Sequence, residues 1–293
     1  MINKFINLRK KDIGQHFLIN EAVMQEIVDL TPQNKTIIEI GAGSGLLTKH
    51  LVKTSRKVYA IEIDKSFSRS LSLLEKKTKN LVVLYQNALK LLNKNNFKKN
   101  FGKESNLWIS GNIPYHITEP LIMRIVTLPV HGATLLTGAR FANEITATQD
   151  SKDFGKLGIL VNTFFKPKLK GYVEKQNFFP PPRTTSAIIT LETKTKNDIL
   201  NDQTAYLFKE IFLSSHRGTL IKNILRESII RYKQYLLTGS NNKTRRFLIT
   251  KNEAREIIKE LHLPNEILDK SVEQLTNDEF KILFRELQKL HIQ

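Results

Sequence analysis

The sequence contains no cysteine among its 293 residues. This absence excludes disulfide bonds, thiol catalysis, iron–sulfur clusters and zinc sites built from cysteine. The sequence also lacks an apolar run of about 18 residues, so it predicts no membrane span. The first residues, MINKFINLRKK, have no apolar core of the kind that secretory signals need. Together, these absences favour a cytoplasmic protein.

Acidic residues are few compared with basic ones, with 28 Asp and Glu against 46 Lys and Arg and a formal net charge of +18. Residues 1–195 carry 29 basic and 15 acidic side chains, whereas residues 196–293 carry 17 and 13. Two stretches, 1–11 and 90–103, are basic and contain no acid. A surface this positive attracts polyanions, and nucleic acid is the leading candidate partner. A lysine-rich composition with solvated basic loops is the alternative.

The apolar pattern changes near residue 195. Before this point, short strand-like runs alternate with helical patterns, which predicts an α/β fold with a parallel, doubly wound sheet. The predicted strands lie at 36–40, 58–63, 81–86, 107–110 and 133–138, with strand-like runs near 169–174 and 186–192. One predicted helix spans 118–128 and is capped by Thr118. After residue 195, apolar residues recur three and four apart, which predicts a small helical domain.

A glycine-rich turn, GAGSG at 41–45, follows the first predicted strand. Its glycines let a ligand approach the backbone closely. Glu62 ends the next strand, where a carboxylate can accept hydrogen bonds from ribose hydroxyls. Asn87 follows the third strand and its amide can bond a base edge. These residues are expected to share one crevice at the carboxyl ends of the strands, which predicts a nucleoside-containing cofactor. The GxGxG spacing tilts against NAD, and a glycine turn without a ligand is the alternative.

The segment GNIPYHIT follows the fourth predicted strand. The Asn112 oxygen and the Ile113 carbonyl can accept hydrogen bonds from an exocyclic amine, and Tyr115 can stack on a base. Pro114 restricts the residue before it to an extended backbone. Phe178, in FFPPPR, is a candidate for a second stacking surface, with a packed strand connection as the alternative. The pattern indicates a site that methylates the amino group of a base.

In this order, the segments resemble the ribosomal RNA adenine N6-dimethyltransferases. That family includes small-subunit ribosome-biogenesis enzymes and large-subunit erythromycin-resistance methylases. The matching segments are GQHFLIN, EIGAGSGLLT, AIEID, GNIPYHIT and FFPPPRTTSA. The resemblance implies a Rossmann-like S-adenosylmethionine-dependent methyltransferase domain at 1–195. It also implies a helical C-terminal domain at 196–293 that contacts RNA or the ribosome.

The resemblance also implies a role for individual residues. Those that would contact S-adenosylmethionine are His16, Leu18, Gly41, Gly43, Glu62, Asn87 and Asn112. Those that would act on the target adenine are Asn112, Pro114, Tyr115 and Phe178. Two positions depart from the family pattern, because Asn87 stands where Asp is usual and His16 where Asn is usual. The first departure predicts weaker cofactor binding.

The implied activity is methyl transfer to adenine N6 in small-subunit rRNA during ribosome biogenesis. Direct displacement by the adenine needs no nucleophilic side chain and no metal, so positioning supplies most of the rate. The segments PPPRTTSA and DFGKLGILV favour the small subunit, whereas LLTGARFANEI leans toward the large-subunit methylases. A non-catalytic RNA-binding assembly or transcription factor and a DNA adenine methyltransferase are further alternatives. We expect a monomer that binds rRNA in a ribosomal subunit or its precursor.

Overall fold

The computed structural model describes residues 16–148, 151–214, 218–238 and 249–292. The strands, in chain order, are β1 Phe17–Leu18, β2 Thr36–Ile40, β3 Lys57–Glu62, β4 Leu81–Tyr85, β5 Leu107–Asn112, β6 Gly132–Gly138, β7 Phe165–Val173, β8 Phe178–Phe179 and β9 Ser186–Thr193. The α-helices of the first half are α1 Glu21–Asp29, α2 Leu46–Thr54, α3 Ser68–Lys77, α4 Ala88–Leu91, α5 Lys94–Phe101, α6 Tyr115–Ile125, α7 Ala139–Thr146 and α8 Lys156–Phe164. Those that follow are α9 Lys196–Leu200, α10 Gln203–Ser214, α11 Ile221–Thr238, α12 Lys251–Glu260, α13 Asn265–Leu268 and α14 Asn277–Lys289. The basic stretch at 1–11 lies outside the described residues.

Seven strands form one sheet in the order β4-β3-β2-β5-β6-β9-β7, and β1 pairs with β8 in a separate two-stranded sheet. Strands β4, β3, β2, β5 and β6 are parallel, as the sequence predicts. Strand β9 differs, since it runs antiparallel to β6. The predicted α/β fold is confirmed.

Strand β2 lies in the middle of the sheet, and all five of its residues are buried. Its sequence, TIIEI, is rich in β-branched residues and shows no polar alternation, which is typical of a strand with helices on both faces. Its register pairs Glu39 with Ala60 of β3 and with Ser110 of β5. The carboxyl ends of β2 and β5 therefore meet where the strand order reverses, the usual ligand position in such sheets.

Helix α6 begins earlier than the sequence predicts. It starts at Tyr115 with Pro114 as its N-cap residue, so Thr118 lies inside the helix and does not cap it. The Thr118 hydroxyl is buried and shares a hydrogen bond of 2.9 Å with the hydroxyl of Thr137 on β6. The sequence predicts Thr118 as the start of the helix, but it does not show the buried partner, Thr137, that satisfies its hydroxyl within the fold.

The described residues divide into two compact units. One contains the residues up to Thr146 together with Lys166–Thr193, and the other contains Ala147–Phe165 and the residues from Lys194 onward. The second unit is helical and has its own apolar core, to which Phe154 and Ile159 contribute. This packing explains why residues 147–165 belong to the helical unit. The boundary that the sequence predicts, at residue 195, assigns the same residues to the first domain. None of the helices in the described ranges has the length and apolar character to cross a bilayer.

Glu39 is an acid in the centre of the sheet. It is only 1% exposed, and its Oε2 has no hydrogen-bond partner among the described residues. Burial raises its pKa from 4.5 to about 7; the Thr48 hydroxyl lowers it and the nearby Glu62 charge raises it. The folded state therefore holds a proton that the unfolded chain releases between those two pKa values. It follows that Glu39 lowers the free energy of unfolding as the pH rises through this window.

We predict that Glu39→Gln stabilises the protein at about pH 8 by up to about 3 kcal/mol and has little effect near pH 4.5. The amide keeps the shape of the protonated acid and cannot acquire the buried charge. Urea unfolding at several pH values measures the difference. Exposed Glu26→Gln removes a solvated carboxylate as the control, and equal pH dependence of Glu39→Gln and wild type would contradict the assignment.

Candidate active site

A cavity opens at the carboxyl ends of β2, β3, β4 and β5. Of the ten residues that the sequence singles out, the structure brings nine together around this cavity. They are His16, Gly41, Gly43, Glu62, Asn87, Asn112, Pro114, Tyr115 and Phe178. They come from segments far apart in the chain, and the parallel strands deliver most of them to one edge of the sheet. Gly14 and Gln15 of the GQHFL segment lie outside the described residues.

Leu18 is the exception among the ten. Its side chain is buried in the apolar core and does not line the cavity, whereas Phe17 does. The reason is strand alternation, because neighbouring residues of β1 point to opposite sides. The backbone of β1 is fixed by antiparallel pairing of Phe17 with Phe179 and Leu18 with Phe178. Of the two residues of β1, Phe17 is thus the one whose side chain lines the cavity.

The glycine turn is tied to the end of β3 by hydrogen bonds. The amide of Gly41 donates to the Ile61 carbonyl at 2.9 Å, and the amide of Gly43 donates to Glu62 Oε2 at 2.7 Å. Glu62 Oε1 accepts a second bond from the Asp64 amide at 2.8 Å. Burial raises the pKa of Glu62, and these backbone bonds partly offset the rise. Each carboxylate oxygen has further lone pairs, so Glu62 can still accept bonds from the hydroxyls of a sugar.

Gly41 has a φ of +75°, a backbone conformation that favours glycine. A Cβ at this position would lie 3.6 Å from the Asn112 carbonyl oxygen and 3.9 Å from Pro114 Cδ. These are ordinary contact distances, so the space over Gly41 accommodates ligand atoms as well. The missing side chain leaves a cradle between the glycine turn and the Asn112–Pro114 segment.

Asn87 caps α4, and its Oδ1 accepts a hydrogen bond from the Lys90 amide at 3.3 Å. Its Nδ2 donors are not used by this cap. Two apolar residues flank this end of the cavity, Ile63 and Leu89, and the side chain of Ile63 is 56% exposed. In the sequence, Ile63 stands between two acids, Glu62 and Asp64, and an apolar residue in such a polar setting is the signal that could have pointed to it. Such residues can hold the faces of a purine ring.

Asn112 ends β5, and its amide is held in one orientation. Nδ2 donates to the carbonyl oxygen of His16 at 2.8 Å. Because a carbonyl oxygen can only accept, the nitrogen must face His16, and Oδ1 is left as an acceptor at the cavity. The backbone is fixed as well, since the Ile113 amide donates to the Leu136 carbonyl at 2.8 Å.

His16 is itself anchored to the segment that carries Phe178. Its Nδ1 lies 2.8 Å from the Pro180 carbonyl oxygen, so the proton is on Nδ1 and Nε2 remains as an acceptor in the neutral ring. The His16 ring centroid is 6.1 Å from that of Tyr115. His16 is one of the two residues that depart from the family pattern. Its side chain thus links the segment before β1 to the segment after β8.

Tyr115 and Phe178, the two aromatic residues that the sequence predicts as stacking surfaces, both line the cavity. Tyr115 is partly exposed, and its hydroxyl shares a hydrogen bond of 2.7 Å with the Ser186 hydroxyl on β9. Its ring packs over Gly138, where a Cβ would be 3.6 Å from the ring. Phe178 is almost fully buried, at 3% exposure, and presents only part of its surface to the cavity. A flat base can stack on a ring anchored in this way.

Comparison with known families and proteins gives matches over most of the chain. The family model described as ribosomal RNA adenine dimethylase matches residues 6–263. A ribosomal RNA small subunit methyltransferase A from Mycoplasmopsis pulmonis is 38% identical over 218 residues, covering 73% of this chain and 83% of the relative. The protein of the same name from Bacillus licheniformis is 30% identical over 254 residues, covering 84% and 83%.

Two solved structures are similar in fold. A dimethyladenosine transferase from Plasmodium falciparum aligns with a TM-score of 0.57 and 24% identity, over 95% of this chain and 100% of that one. The 23S rRNA methyltransferase ErmE aligns with a TM-score of 0.56 and 19% identity, over 93% and 99%. At these identities, the likeness concerns the fold.

We predict that Gly41→Ala lowers the affinity for S-adenosylmethionine by roughly tenfold or more, because the new methyl group occupies the cradle. Gly218→Ala is the matched control, since Gly218 has a φ of +65° and nothing lies within 4 Å of its would-be Cβ. Both variants lose about 1–2 kcal/mol of stability from backbone strain. Calorimetric titration separates the two effects, and equal affinities in the two variants would show that Gly41 does not face the cofactor.

Proposed function

This chain belongs to the ribosomal RNA adenine dimethylase family, and we propose that it transfers methyl groups from S-adenosylmethionine to adenine N6 in small-subunit rRNA. The relatives at 38% and 30% identity both carry the name of a small-subunit rRNA methyltransferase. Their names favour the small subunit over the large-subunit alternative, RNA over DNA, and an enzyme over a non-catalytic assembly factor.

The cavity fits S-adenosylmethionine at three places. Glu62 offers acceptors for the ribose hydroxyls, and Asn87 with Ile63 and Leu89 suits the adenine ring. The cradle over Gly41 suits the chain that carries the sulfonium. When bound there, the cofactor supplies an electrophilic methyl group. These assignments of individual residues are part of the proposal.

The orientation of the Asn112 amide is the observation that supports this function best, because it offers an acceptor to the amino group of an adenine. With Nδ2 held by His16, Oδ1 accepts a hydrogen bond from N6–H of the target, and the Ile113 carbonyl can accept the other. These bonds would favour the geometry in which the N6 lone pair localises. Bound S-adenosylmethionine would supply the methyl group that N6 takes up, with the cofactor sulfur as the leaving group, and Asn112 and Ile113 would hold the amine for this transfer. The proton released from N6 passes to water.

The target base must leave its stack to reach this pocket. Tyr115, held by Ser186 and Gly138, supplies a face on which the base stacks, and Phe178 limits the pocket beside it. Holding base and donor in line supplies most of the rate in a displacement of this kind. We further infer that the enzyme acts as a monomer in the cytoplasm, on rRNA within a ribosomal subunit or its precursor.

We predict that Asn112→Ala lowers the rate of N6-methylation about 100-fold, because the acceptor that orients the amine is lost. The measurement is mass spectrometry of N6,N6-dimethyladenosine in small-subunit rRNA, with RNA affinity measured in parallel. Exposed Asn197→Ala, in the helical unit, is the matched control. A folded Asn112→Ala protein that binds RNA and methylates it at the wild-type rate would refute the mechanism.

A second prediction concerns the family departure at Asn87. An Asp at this position keeps the helix cap, since Asp and Asn cap equally well. Its charged oxygen accepts a stronger hydrogen bond from the adenine amine. Asn87→Asp should therefore bind S-adenosylmethionine roughly three- to fivefold more tightly by calorimetry. Asn93→Asp, at the N-cap of α5, controls for the added charge. A gain in both variants, or in neither, would count against Asn87 as the adenine contact.

A further inference from the structure

Strand β7 carries three lysines on one face, at alternate positions. Its sequence is FKPKLKGYV, and Lys166, Lys168 and Lys170 are all exposed. Side chains two residues apart in a strand point the same way and are separated by about 7 Å. We call these three residues the β7 lysine stripe. Among the described residues, no acidic side chain forms an ion pair with Lys168 or Lys170.

An exposed aromatic residue continues the same face. Tyr172 is 55% exposed, and its hydroxyl donates a hydrogen bond of 2.8 Å to Asn143 Oδ1 on α7. Anchoring the ring at its tip leaves its face in solvent. Lysines followed by an exposed, fixed ring form a surface that suits single-stranded RNA, where phosphates meet ammonium groups and bases meet the ring.

The position of β7 in the sheet relates this surface to the site. β4 and β7 occupy opposite edges of the seven-stranded sheet. The residues proposed for the cofactor, Glu62 and Asn87, follow β3 and β4. Those proposed for the target base lie toward the other edge: Tyr115 packs on Gly138 at the end of β6. Phe178 follows β7 within five residues. The β7 lysine stripe is therefore on the target-base half, whereas the basic stretch at 90–103 is on the cofactor half.

We propose that the β7 lysine stripe binds the phosphates of the RNA strand that carries the target adenine and guides it toward Tyr115. This inference rests on the proposed function. It assigns RNA binding to a sheet edge that the charge count alone does not single out. A basic edge strand also discourages strand pairing between copies of the chain, but that role needs neither the exposed ring nor this position.

The test compares two double variants that remove equal charge. Lys168→Gln with Lys170→Gln alters the stripe, and Lys76→Gln with Lys77→Gln alters exposed lysines at the end of α3. The probe is a small-subunit rRNA transcript titrated at several salt concentrations. We expect the stripe variant to bind about tenfold more weakly at low salt, with the slope of log K against log salt reduced by about 1–2. KM for RNA rises accordingly, while kcat at saturating RNA and the affinity for S-adenosylmethionine stay at wild-type values.

The outcomes separate this inference from the proposed function. If wild type methylates the rRNA and the stripe variant binds it like the Lys76/Lys77 variant, the inference is wrong. If wild type neither binds nor methylates small-subunit rRNA, the proposed function fails and the inference fails with it. A loss of S-adenosylmethionine binding in the stripe variant would also overturn the inference, because the stripe would then act on the fold or on the cofactor half.

Discussion

The hydrogen bond from Asn112 Nδ2 to the His16 carbonyl oxygen determines which atom of this amide faces the cavity. Without this bond, the amide could present either its nitrogen or its oxygen. With it, Oδ1 faces the cavity as a hydrogen-bond acceptor, and an adenine amine, which donates hydrogen bonds, needs an acceptor. His16 in turn is held by the Pro180 carbonyl and by the pairing of β1 with β8. The selectivity that we propose for the site thus depends on His16, which lies before β1 and is remote from Asn112 in sequence.

The sheet supplies the rest of the geometry. Parallel strands end at one edge, so the glycine turn after β2 and the Asn112–Tyr115 segment after β5 face each other across the point where strand order reverses. Glu39 in β2 places a buried acid in the centre of this sheet, at a cost to stability that grows as the pH rises from 4.5 to about 7. One half of the sheet carries the residues that we propose for the cofactor, and the other half carries those that we propose for the target base and its RNA strand.

Much of this arrangement could be predicted from the sequence, because its strands and glycine turn are locally encoded. TIIEI is a strand at the predicted residues, and the nine residues around the cavity are motif residues. What could not be predicted depends on tertiary partners. Thr118 is paired with Thr137 inside the fold, and the Phe17 side chain lines the cavity while that of Leu18 is buried in the core, because alternation in β1 is set by its pairing with β8. Residues 147–165 join the helical unit through packing that no local pattern reveals.

The central claim is that the His16-held amide of Asn112 presents its oxygen to the adenine amine. The most direct measurement is a structure of the enzyme with a non-reactive S-adenosylmethionine analogue and an rRNA fragment that contains the target adenine. We predict that Asn112 Nδ2 keeps its bond to His16 and that Oδ1 lies about 3 Å from N6 of an adenine stacked on Tyr115. An amide turned the other way, or an N6 group bound away from Asn112, would contradict the account.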